Sequence, residues 1–401
     1  MTIEQLIETS LPMIEEAEQS VAPWYSIPYE EQLERKMEML HKVLDQPWRH
    51  LIRPILSSSE IFGHRNKMEF SFGYDEDERP ALGFHQRGKF WRVNDLDRSV
   101  FLSDRANEVY AEIKRWACQT DLPFYRQVDN RGFFRYLVLR EGKRTGEVLA
   151  NLVVNPSEYE DRVSQVKADL IALAERLTMV SSLWLSYRRS VGDAATGEES
   201  ELLYGKPTIY EQVSGLTFHI SPLSFFQVNS YGTEVLYEKL KELAAGSAER
   251  RWLLDLYCGS GGMTLVLSHL FEKVCGVDSD AHSINIAVEN ARINHILNAR
   301  FVCAPANKLG GLGPMPIDLL IVDPPRAGLT PKVVKAVLRM RPKRLLYVSC
   351  NPQSFRDDAR ALRQELQVCE IVPLDLFPHT PHIELIAFFE KISSQEPGAA
   401  L

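Results

Sequence analysis

The sequence is short of the features that mark metal-binding, secreted and membrane proteins. It holds six cysteines in 401 residues, and no two of them form a C-x-x-C pair. This argues against a zinc site, an iron–sulfur cluster and a secreted disulfide framework. No apolar run reaches the roughly 18 residues that a membrane helix needs. The N-terminus, Met1–Glu4, has no basic segment of the kind that opens a signal peptide. These absences predict a reduced, cytoplasmic protein with no bound metal and no membrane partner.

The sequence also has no excess of positive charge, and most of its negative charge lies in one region. The net charge is −8 and the isoelectric point is near 5.8, values that do not indicate a nucleic-acid-binding protein by themselves. Residues 1–45 contain ten acidic and three basic residues, so the remaining 356 residues carry a net charge of only −1. The body of the protein is therefore close to neutral, and a basic face on it is compatible with the composition.

Four regions of different character follow one another along the chain. Residues 1–45 have helical spacing of apolar residues among charges, and Pro28 is placed to start a helix. Residues 46–215 are rich in strand and turn patterns, whereas residues 216–392 include strands that alternate with helices from Trp252 onward. Residues 393–401 are predicted to be a flexible tail. The fold class predicted is α/β: a doubly wound sheet preceded by a smaller β-rich (α+β) domain.

The central region combines hairpin patterns with interleaved basic and aromatic residues. Segments 67–73, 81–85 and 90–93 read as strands, and Ser103 is placed to cap a helix that reaches Cys118. RNA-binding surfaces use such a mixture, with cations for phosphates and rings for unstacked bases. The alternative is a β-domain whose aromatic side chains form its core and whose arginines are solvated. Composition alone favours that second interpretation.

A glycine-rich turn opens the alternating region. Residues 252–262 predict a strand that runs into the turn, and the following strand ends at Asp278, 19 residues after Gly259. A carboxylate at this place can accept hydrogen bonds from ribose hydroxyls, as in sites for NAD and S-adenosylmethionine. The adjacent glycines 261 and 262, together with Asp255 before the turn, favour S-adenosylmethionine. The alternative is a packing turn with a solvated Asp278.

Three later strand boundaries carry residues that are suited to covalent chemistry. Asp323 follows an apolar strand and begins the segment Asp-Pro-Pro-Arg, Cys350 follows the next apolar strand, and Glu384 follows the polar loop 377–383. Ligands and reacting groups gather at strand ends in open α/β sheets. A thiol with two carboxylates at one edge therefore predicts an enzyme with a nucleophilic cysteine. Taken alone, a cysteine that closes a strand is more often a buried small hydrophobic residue.

Taken in order, these motifs resemble those of the RNA uracil-5 methyltransferases. The matching segments are 28–33, 65–70, 83–85, 224–229, the glycine turn, 323–326, 349–352 and 377–384. The resemblance implies a Rossmann-like class I methyltransferase domain behind an RNA-contacting β-domain, with the early helical segment packed on the catalytic domain. Many relatives that act on ribosomal RNA add a TRAM domain and a four-cysteine iron–sulfur site, which this chain lacks. The chain therefore looks most similar to the branch that methylates uridine 54 in the T arm of tRNA.

The resemblance also implies roles for individual residues. Cys350 matches the nucleophile that adds to C6 of uracil, and Glu384 matches the base that later removes the proton on C5. Residues implied to contact the cofactor S-adenosyl-L-methionine are Gln227, Tyr257, Gly259, Asp278 and Asp323. Residues expected to contact RNA, from the family and from the basic and aromatic patterns, are Arg65, Lys67, Phe133, Phe226 and Arg326.

The resemblance leaves other functions open. The same reaction on 23S ribosomal RNA is one, and a non-catalytic RNA-binding or tRNA-folding protein is another. A cytosine-5 methyltransferase is less favoured, because those RNA enzymes resemble a pattern with a cysteine in the loop after Asp323, and this loop has none. A metal pair of His379 and His382 is a further alternative, but no third ligand is apparent in the sequence, which favours roles in shaping the loop and the site. We expect a monomer.

Overall fold

The computed structural model describes residues 16–44, 46–192, 194–246, 249–312 and 316–392. The predicted tail 393–401 and the first 15 residues lie outside these ranges. Three helices form the start of the described chain. Pro28 caps the longest of them, as the sequence predicts, because its fixed φ of −51° suits a helix entry. The helices are α1 (Glu16–Gln19), α2 (Tyr29–Val43) and α3 (Gln46–Arg49).

The second region is a β-domain built on one seven-stranded sheet. The strand order is β3-β2-β1-β4-β5-β6-β7, with a parallel pair at β5 and β6 and antiparallel pairs elsewhere. The predicted hairpins and the predicted cap at Ser103, which accepts a hydrogen bond from the Ala106 N–H, are confirmed. The elements are β1 (Lys67–Tyr74), β2 (Pro80–Gln86), β3 (Lys89–Asp95), α4 (Asp104–Gln119), β4 (Phe134–Glu141), β5 (Val148–Val154), α5 (Val163–Arg176), β6 (Val180–Tyr187) and β7 (Glu199–Gly205).

A short hairpin links this domain to the catalytic domain. Its strands are β8 (Ile209–Val213) and β9 (Leu216–Ile220). Ile209 and Phe218 are fully buried and belong to the same apolar cluster as residues of the catalytic sheet. The predicted junction at residue 215 falls inside this hairpin. The hairpin also binds the β-domain, where the Tyr210 N–H donates to Glu147 at 2.7 Å, so the position of the domain boundary stays a prediction.

The catalytic domain is the predicted doubly wound sheet. Its order is β12-β11-β10-β13-β14-β16-β15, in which β16 runs antiparallel to both of its neighbours and the remaining pairs are parallel. The parallel strands therefore end at one edge, where the loops that follow them gather. The elements are α6 (Ser230–Ala245), β10 (Trp252–Leu256), α7 (Gly262–Val266), β11 (Lys273–Asp278), α8 (Ala281–Ile293), β12 (Ala299–Cys303), β13 (Leu319–Val322), α9 (Pro331–Met340), β14 (Arg344–Ser349), α10 (Pro352–Leu362), β15 (Leu366–Leu374) and β16 (Glu384–Lys391).

The N-terminal helices bridge the two domains. Ala17 is buried in the core of the β-domain, whereas Leu40 and Leu44 are buried in the core on one face of the catalytic sheet. The Asn66 side chain of the β-domain donates hydrogen bonds to the Gln227 carbonyl and to Ser230 Oγ of the catalytic domain at 2.8 Å each. Among the described helices, none combines the length and the apolar character that a membrane crossing requires.

Candidate active site

Cys350 lies at the carboxyl end of β14, a strand whose six residues are all buried between two other strands. The chain then turns into α10, which Asn351 caps by accepting a hydrogen bond from the Gln353 N–H at 3.1 Å. The Asn351 amide also donates to the Arg326 carbonyl at 2.9 Å. This bond ties the cysteine loop to the loop that follows Asp323, so the strand end and the cap together fix the position of the thiol.

Two carboxyl groups lie close enough to this thiol to raise its pKa. Burial is the main cause that raises the pKa of Cys350, nearby Glu384 and Asp323 raise it further, and Arg326 opposes them. The resting side chain is therefore a neutral, partly exposed thiol. Three of the residues predicted for the chemistry thus meet at one edge of the sheet, and Arg326, which is exposed, joins them.

Glu384 is buried and Asp323 is partly buried. Glu384 is 2% exposed at the first position of β16. Burial, with a smaller effect of Asp323, raises the pKa of Glu384 well above its ordinary value. Burial and the neighbouring Asp255 raise the pKa of Asp323 to about 7. A carboxyl group whose pKa is raised by burial is a stronger base once it is ionised, which suits a general base in this place.

The predicted glycine turn follows β10 and is sterically closed to larger residues. Tyr257, Gly259 and Gly261 have φ angles of 67°, 51° and 85°, in the left-handed region that favours glycine. A Cβ atom added to Gly262 would lie 2.1 Å from the hydroxyl oxygen of Tyr237. The turn therefore presents bare backbone to the cavity beside it, as a nucleotide-type ligand requires.

Four of the five residues predicted for the cofactor line this one cavity, namely Gln227, Tyr257, Gly259 and Asp323. The fifth, Asp278, ends β11 at the side of the turn, where its Oδ2 accepts a hydrogen bond from the Gly259 N–H at 3.0 Å. The structure thus brings the predicted set together around the glycine turn.

Asp255 marks a polar position in the same cavity. It is 1% exposed; its Oδ2 accepts a hydrogen bond from Thr264 Oγ1 at 2.6 Å, and its Oδ1 has no hydrogen-bond partner among the described residues. Burial raises the pKa of Asp255 to about 7. A buried carboxylate oxygen without a partner is costly, and a cationic ligand such as the ammonium group of S-adenosylmethionine would satisfy it. The residues present therefore fit that cofactor.

A cleft of about 730 Å³ lies between the β-domain and the loop that leads to Glu384. Arg65 and Lys67, both predicted to contact RNA, line it together with His382. Lys67 forms an ion pair with Glu69 at 2.5 Å, and the Arg65 guanidinium lies 5.2 Å from the ring centre of Phe101. The β-domain thus contributes cationic side chains to a cleft whose other wall includes the loop that leads to Glu384.

Two aromatic residues predicted to contact RNA do not face this cleft. Phe133 has no exposed surface and packs edge-on against Phe134, and Phe226 is 6% exposed and packs beside Phe218. Both are core residues, so neither ring has a face free for a base, and those two predictions are corrected. Phe225, by contrast, is 61% exposed next to the glycine turn. Successive side chains of an extended segment point to opposite sides, so burial of Phe226 leaves Phe225 on the other side, whereas at Phe133 and Phe134 both sides are covered.

Comparison with known proteins gives a consistent result. A family profile described as tRNA (Uracil-5-)-methyltransferase matches residues 203–392. The tRNA (uracil(54)-C(5))-methyltransferase of Pyrococcus furiosus is 34% identical over 366 residues, which cover 91% of this chain and 82% of that protein. An uncharacterized RNA methyltransferase of Caldanaerobacter subterraneus is 34% identical over 375 residues, covering 92% and 82%. A crystal structure of the Pyrococcus abyssi tRNA (uracil-54, C5)-methyltransferase in complex with S-adenosyl-L-homocysteine superimposes with a TM-score of 0.74 at 32% identity, covering 90% of this chain and 83% of that one.

The strand order, the glycine turn after the central strand β10 and the acid at the end of β11 define a Rossmann-like class I methyltransferase domain. This confirms the predicted fold class. The similarity extends over nearly the whole chain, including the β-domain. The chain belongs to the tRNA (uracil-5-)-methyltransferase family of RNA methyltransferases, and it is an S-adenosylmethionine-dependent enzyme that methylates uracil in RNA at C5.

Proposed function

We propose that this enzyme methylates uridine 54 in the T arm of tRNA, and that it does so through a covalent bond between Cys350 and C6 of the uracil. The observation that carries the proposal is the convergence of Cys350, Glu384 and Asp323 at one edge of the sheet. Residues of the segment 377–382, which leads to Glu384, help to line a cleft together with Arg65 and Lys67. Two Pyrococcus relatives named for this position, each similar over about nine-tenths of the chain, support the choice of nucleotide.

Cys350 has the role of nucleophile. The C5 carbon of uracil is a poor nucleophile, and addition of a thiolate to C6 turns the ring into an enolate whose C5 is reactive. The S–C6 bond forms as the electrons of the C5=C6 bond move toward O4. Because the resting group is a neutral thiol, it must lose its proton before it attacks. Exposed Arg326 favours the thiolate by its positive charge.

Gln227, Tyr257, Gly259 and Asp323 would hold the cofactor in the cavity that they line. When bound, S-adenosylmethionine supplies an electrophilic methyl group and a positive charge on sulfur. Asp255 is positioned to accept hydrogen bonds from an ammonium group, and Asp323 lies between the cofactor cavity and Cys350. A positive charge near these groups favours the ionised forms of Cys350 and Glu384, since it opposes the carboxylates and the burial that raise their pKa values.

Glu384 has the role of base in the last step. It takes the proton from C5, the electrons of the C5–H bond re-form the C5=C6 bond, and the S–C6 bond breaks to release the Cys350 thiolate. Its position, buried next to Asp323 and close enough to influence the Cys350 thiol, supports this assignment. The raised pKa of Glu384 makes it a stronger base than an ordinary carboxylate once it is ionised.

The substrate enters along the cleft between the two domains. Arg65 and Lys67 line this cleft, and Arg326 is exposed near His382, which also lines it; these positions support the proposal that the three residues contact RNA. The target base must leave its stack to reach Cys350, as for other enzymes that modify bases. The expectations that the protein is a monomer and acts in the cytoplasm stay predictions.

The test is methyl transfer from labelled S-adenosylmethionine to an unmodified tRNA transcript, followed by mapping of the labelled nucleotide. We expect label at uridine 54 with the intact protein and none with Cys350→Ala. A second tRNA transcript with cytidine at position 54 serves as the matched control. Label in 23S ribosomal RNA but not in tRNA would replace the substrate assignment, and equal activity of the intact protein and Cys350→Ala would overturn the mechanism.

A further inference from the structure

The loop that leads to Glu384 contains a residue with a strained backbone. This segment, Asp375–Ile383, is called the base loop here, and it connects β15 to β16. His379 in its middle has a φ of 65°. A residue other than glycine keeps such a backbone angle only when its surroundings fix it. Contacts with other parts of the chain hold His379 in this conformation.

All four polar atoms of His379 are bound to residues outside the catalytic domain. Its N–H donates to Gln32 Oε1 at 2.7 Å, and its carbonyl accepts from the Trp24 N–H at 3.0 Å. The Nδ1 atom lies 3.1 Å from Gln32 Nε2, and the Nε2 atom lies 3.1 Å from the Ile61 carbonyl. Because Ile61 offers only an acceptor, the neutral ring carries its proton on Nε2 and accepts from Gln32 at Nδ1. Gln32 thus binds both the backbone and the ring of the strained residue.

Lys36 holds the start of the same loop. Its Nζ donates to Asp375 Oδ1 at 2.6 Å and to the Phe377 carbonyl at 3.0 Å, and the side chains of Lys36 and Asp375 have no exposed surface. Gln32 and Lys36 are four residues apart, on one face of α2. The helix therefore binds the base loop by hydrogen bonds at two places, one just after β15 and one at the strained residue His379.

We propose that Gln32 is a positioning residue, which holds the base loop in the conformation that aims Glu384 at C5 of the substrate. The inference rests on the proposed function, because it names what orients the proposed base. Without the Gln32 contacts, His379 relaxes toward an ordinary backbone angle and the following residues move with it. A displacement of about 1 Å of a reacting group is enough to slow a step ~100-fold.

Only one step of the reaction uses Glu384, which makes the proposal specific. Addition of Cys350 to C6 and transfer of the methyl group both precede removal of the C5 proton. If Gln32 acts through Glu384, its loss slows only the final elimination. The methylated RNA then stays bonded to Cys350, and a complex that survives denaturation accumulates with the labelled methyl group on it.

The experiment compares Gln32→Ala with Glu384→Gln, with the intact enzyme and with Glu38→Ala, using labelled S-adenosylmethionine and an unmodified tRNA transcript. Glu38 is a matched control, because its side chain is 70% exposed on the same helix. The readout is the ratio of labelled covalent complex to labelled free RNA, together with the rate constant at which the complex breaks down. We expect Gln32→Ala to lower that rate constant ~10-fold to ~100-fold and to raise the ratio toward that of Glu384→Gln, with Glu38→Ala unchanged.

The ratio separates positioning from a general structural role. Partial unfolding of a variant lowers complex and product together and leaves their ratio unchanged. Gln32→Glu is a second variant of nearly the same size. It keeps an acceptor for the His379 N–H but loses the amide donor that faces the ring and the carbonyls of Trp24 and Ile27. We expect a ratio between those of the intact enzyme and Gln32→Ala. Slower turnover of Gln32→Ala with an unchanged ratio would overturn the inference alone. Failure of Glu384→Gln to accumulate any labelled complex would instead overturn the proposed chemistry, and this inference with it.

Discussion

Removal of the Lys36 charge is expected to destabilise the protein strongly and in a pH-dependent way. Lys36 and Asp375 form a fully buried ion pair at 2.6 Å, and Lys36 also binds a carbonyl oxygen of the base loop. Lys36→Met keeps much of the volume and the apolar stem but leaves Asp375 without its cation. Breaking a buried pair in this way costs about 3–5 kcal/mol of unfolding free energy.

The pH dependence follows from what the isolated carboxylate can do. A buried aspartate without a partner avoids its charge by binding a proton, so the cost of protonation sets an upper limit on the charge penalty. For an ordinary aspartate that limit is about 4 kcal/mol near pH 7 and about 1.5 kcal/mol near pH 5. We therefore expect the loss of stability in Lys36→Met to shrink by about 2–3 kcal/mol as the pH falls between these values.

The assay is urea unfolding followed by tryptophan fluorescence at both pH values. Lys36→Met with Asp375→Asn is the control, since it removes both charges and keeps an acceptor for the Phe377 N–H, which Asp375 binds at 3.0 Å. We expect this double variant to recover most of the lost stability and to show no such pH effect. A cost for Lys36→Met below about 1 kcal/mol near pH 7, or one that is independent of pH, would refute the reasoning.

Three further predictions concern the cofactor turn, the base loop and the nucleophile. Gly262→Ala places a Cβ 2.1 Å from the Tyr237 hydroxyl, so calorimetry should show S-adenosylmethionine binding weakened by about 1–3 kcal/mol. Adding Tyr237→Phe removes that hydroxyl and should restore binding. Weak binding in the double variant would contradict the steric cause. Burial lowers the pKa of His379 to about 4, so its contribution to stability is complete above about pH 6.5 and is lost as the pH falls toward 4, up to about 3 kcal/mol. Urea unfolding of His379→Asn, which tolerates the backbone angle, should lack that component of the pH dependence. Burial, followed by Glu384 and Asp323, raises the pKa of Cys350, so the single-turnover rate of covalent complex formation should still rise above about pH 8; a plateau below that pH would contradict the assignment.

The sequence predicts the catalytic edge well because its residues follow a simple topological rule. Asp323 and Cys350 each come directly after an apolar strand, and parallel strands end at the same edge of a sheet. Glu384 enters from the opposite direction on β16, which is antiparallel to β14, so its first residue lies at that edge too. The caps at Pro28 and Ser103 were also predictable, since they depend only on local backbone preferences.

Features that depend on packing across domains could not be read from the sequence. Phe133 and Phe226 carry the aromatic character expected of RNA contacts, yet both are core residues, because composition does not reveal which side of a strand is covered. The hydrogen bonds from Gln32 and Lys36 to the base loop join positions about 340 residues apart. The hairpin around residue 215 has the strand pattern of the β-domain, and its buried side chains join the apolar cluster of the catalytic sheet, a contact that the pattern does not reveal.

The most direct test of the central claim is to identify the atom that bonds to RNA. Glu384→Gln is incubated with S-adenosylmethionine and an unmodified tRNA transcript, and the trapped complex is digested and sequenced by mass spectrometry. We predict one cross-linked peptide, joined through Cys350 to C6 of a 5-methylated 5,6-dihydrouridine at position 54. A cross-link at another side chain, or full methylation of uridine 54 by Cys350→Ala, would contradict the account.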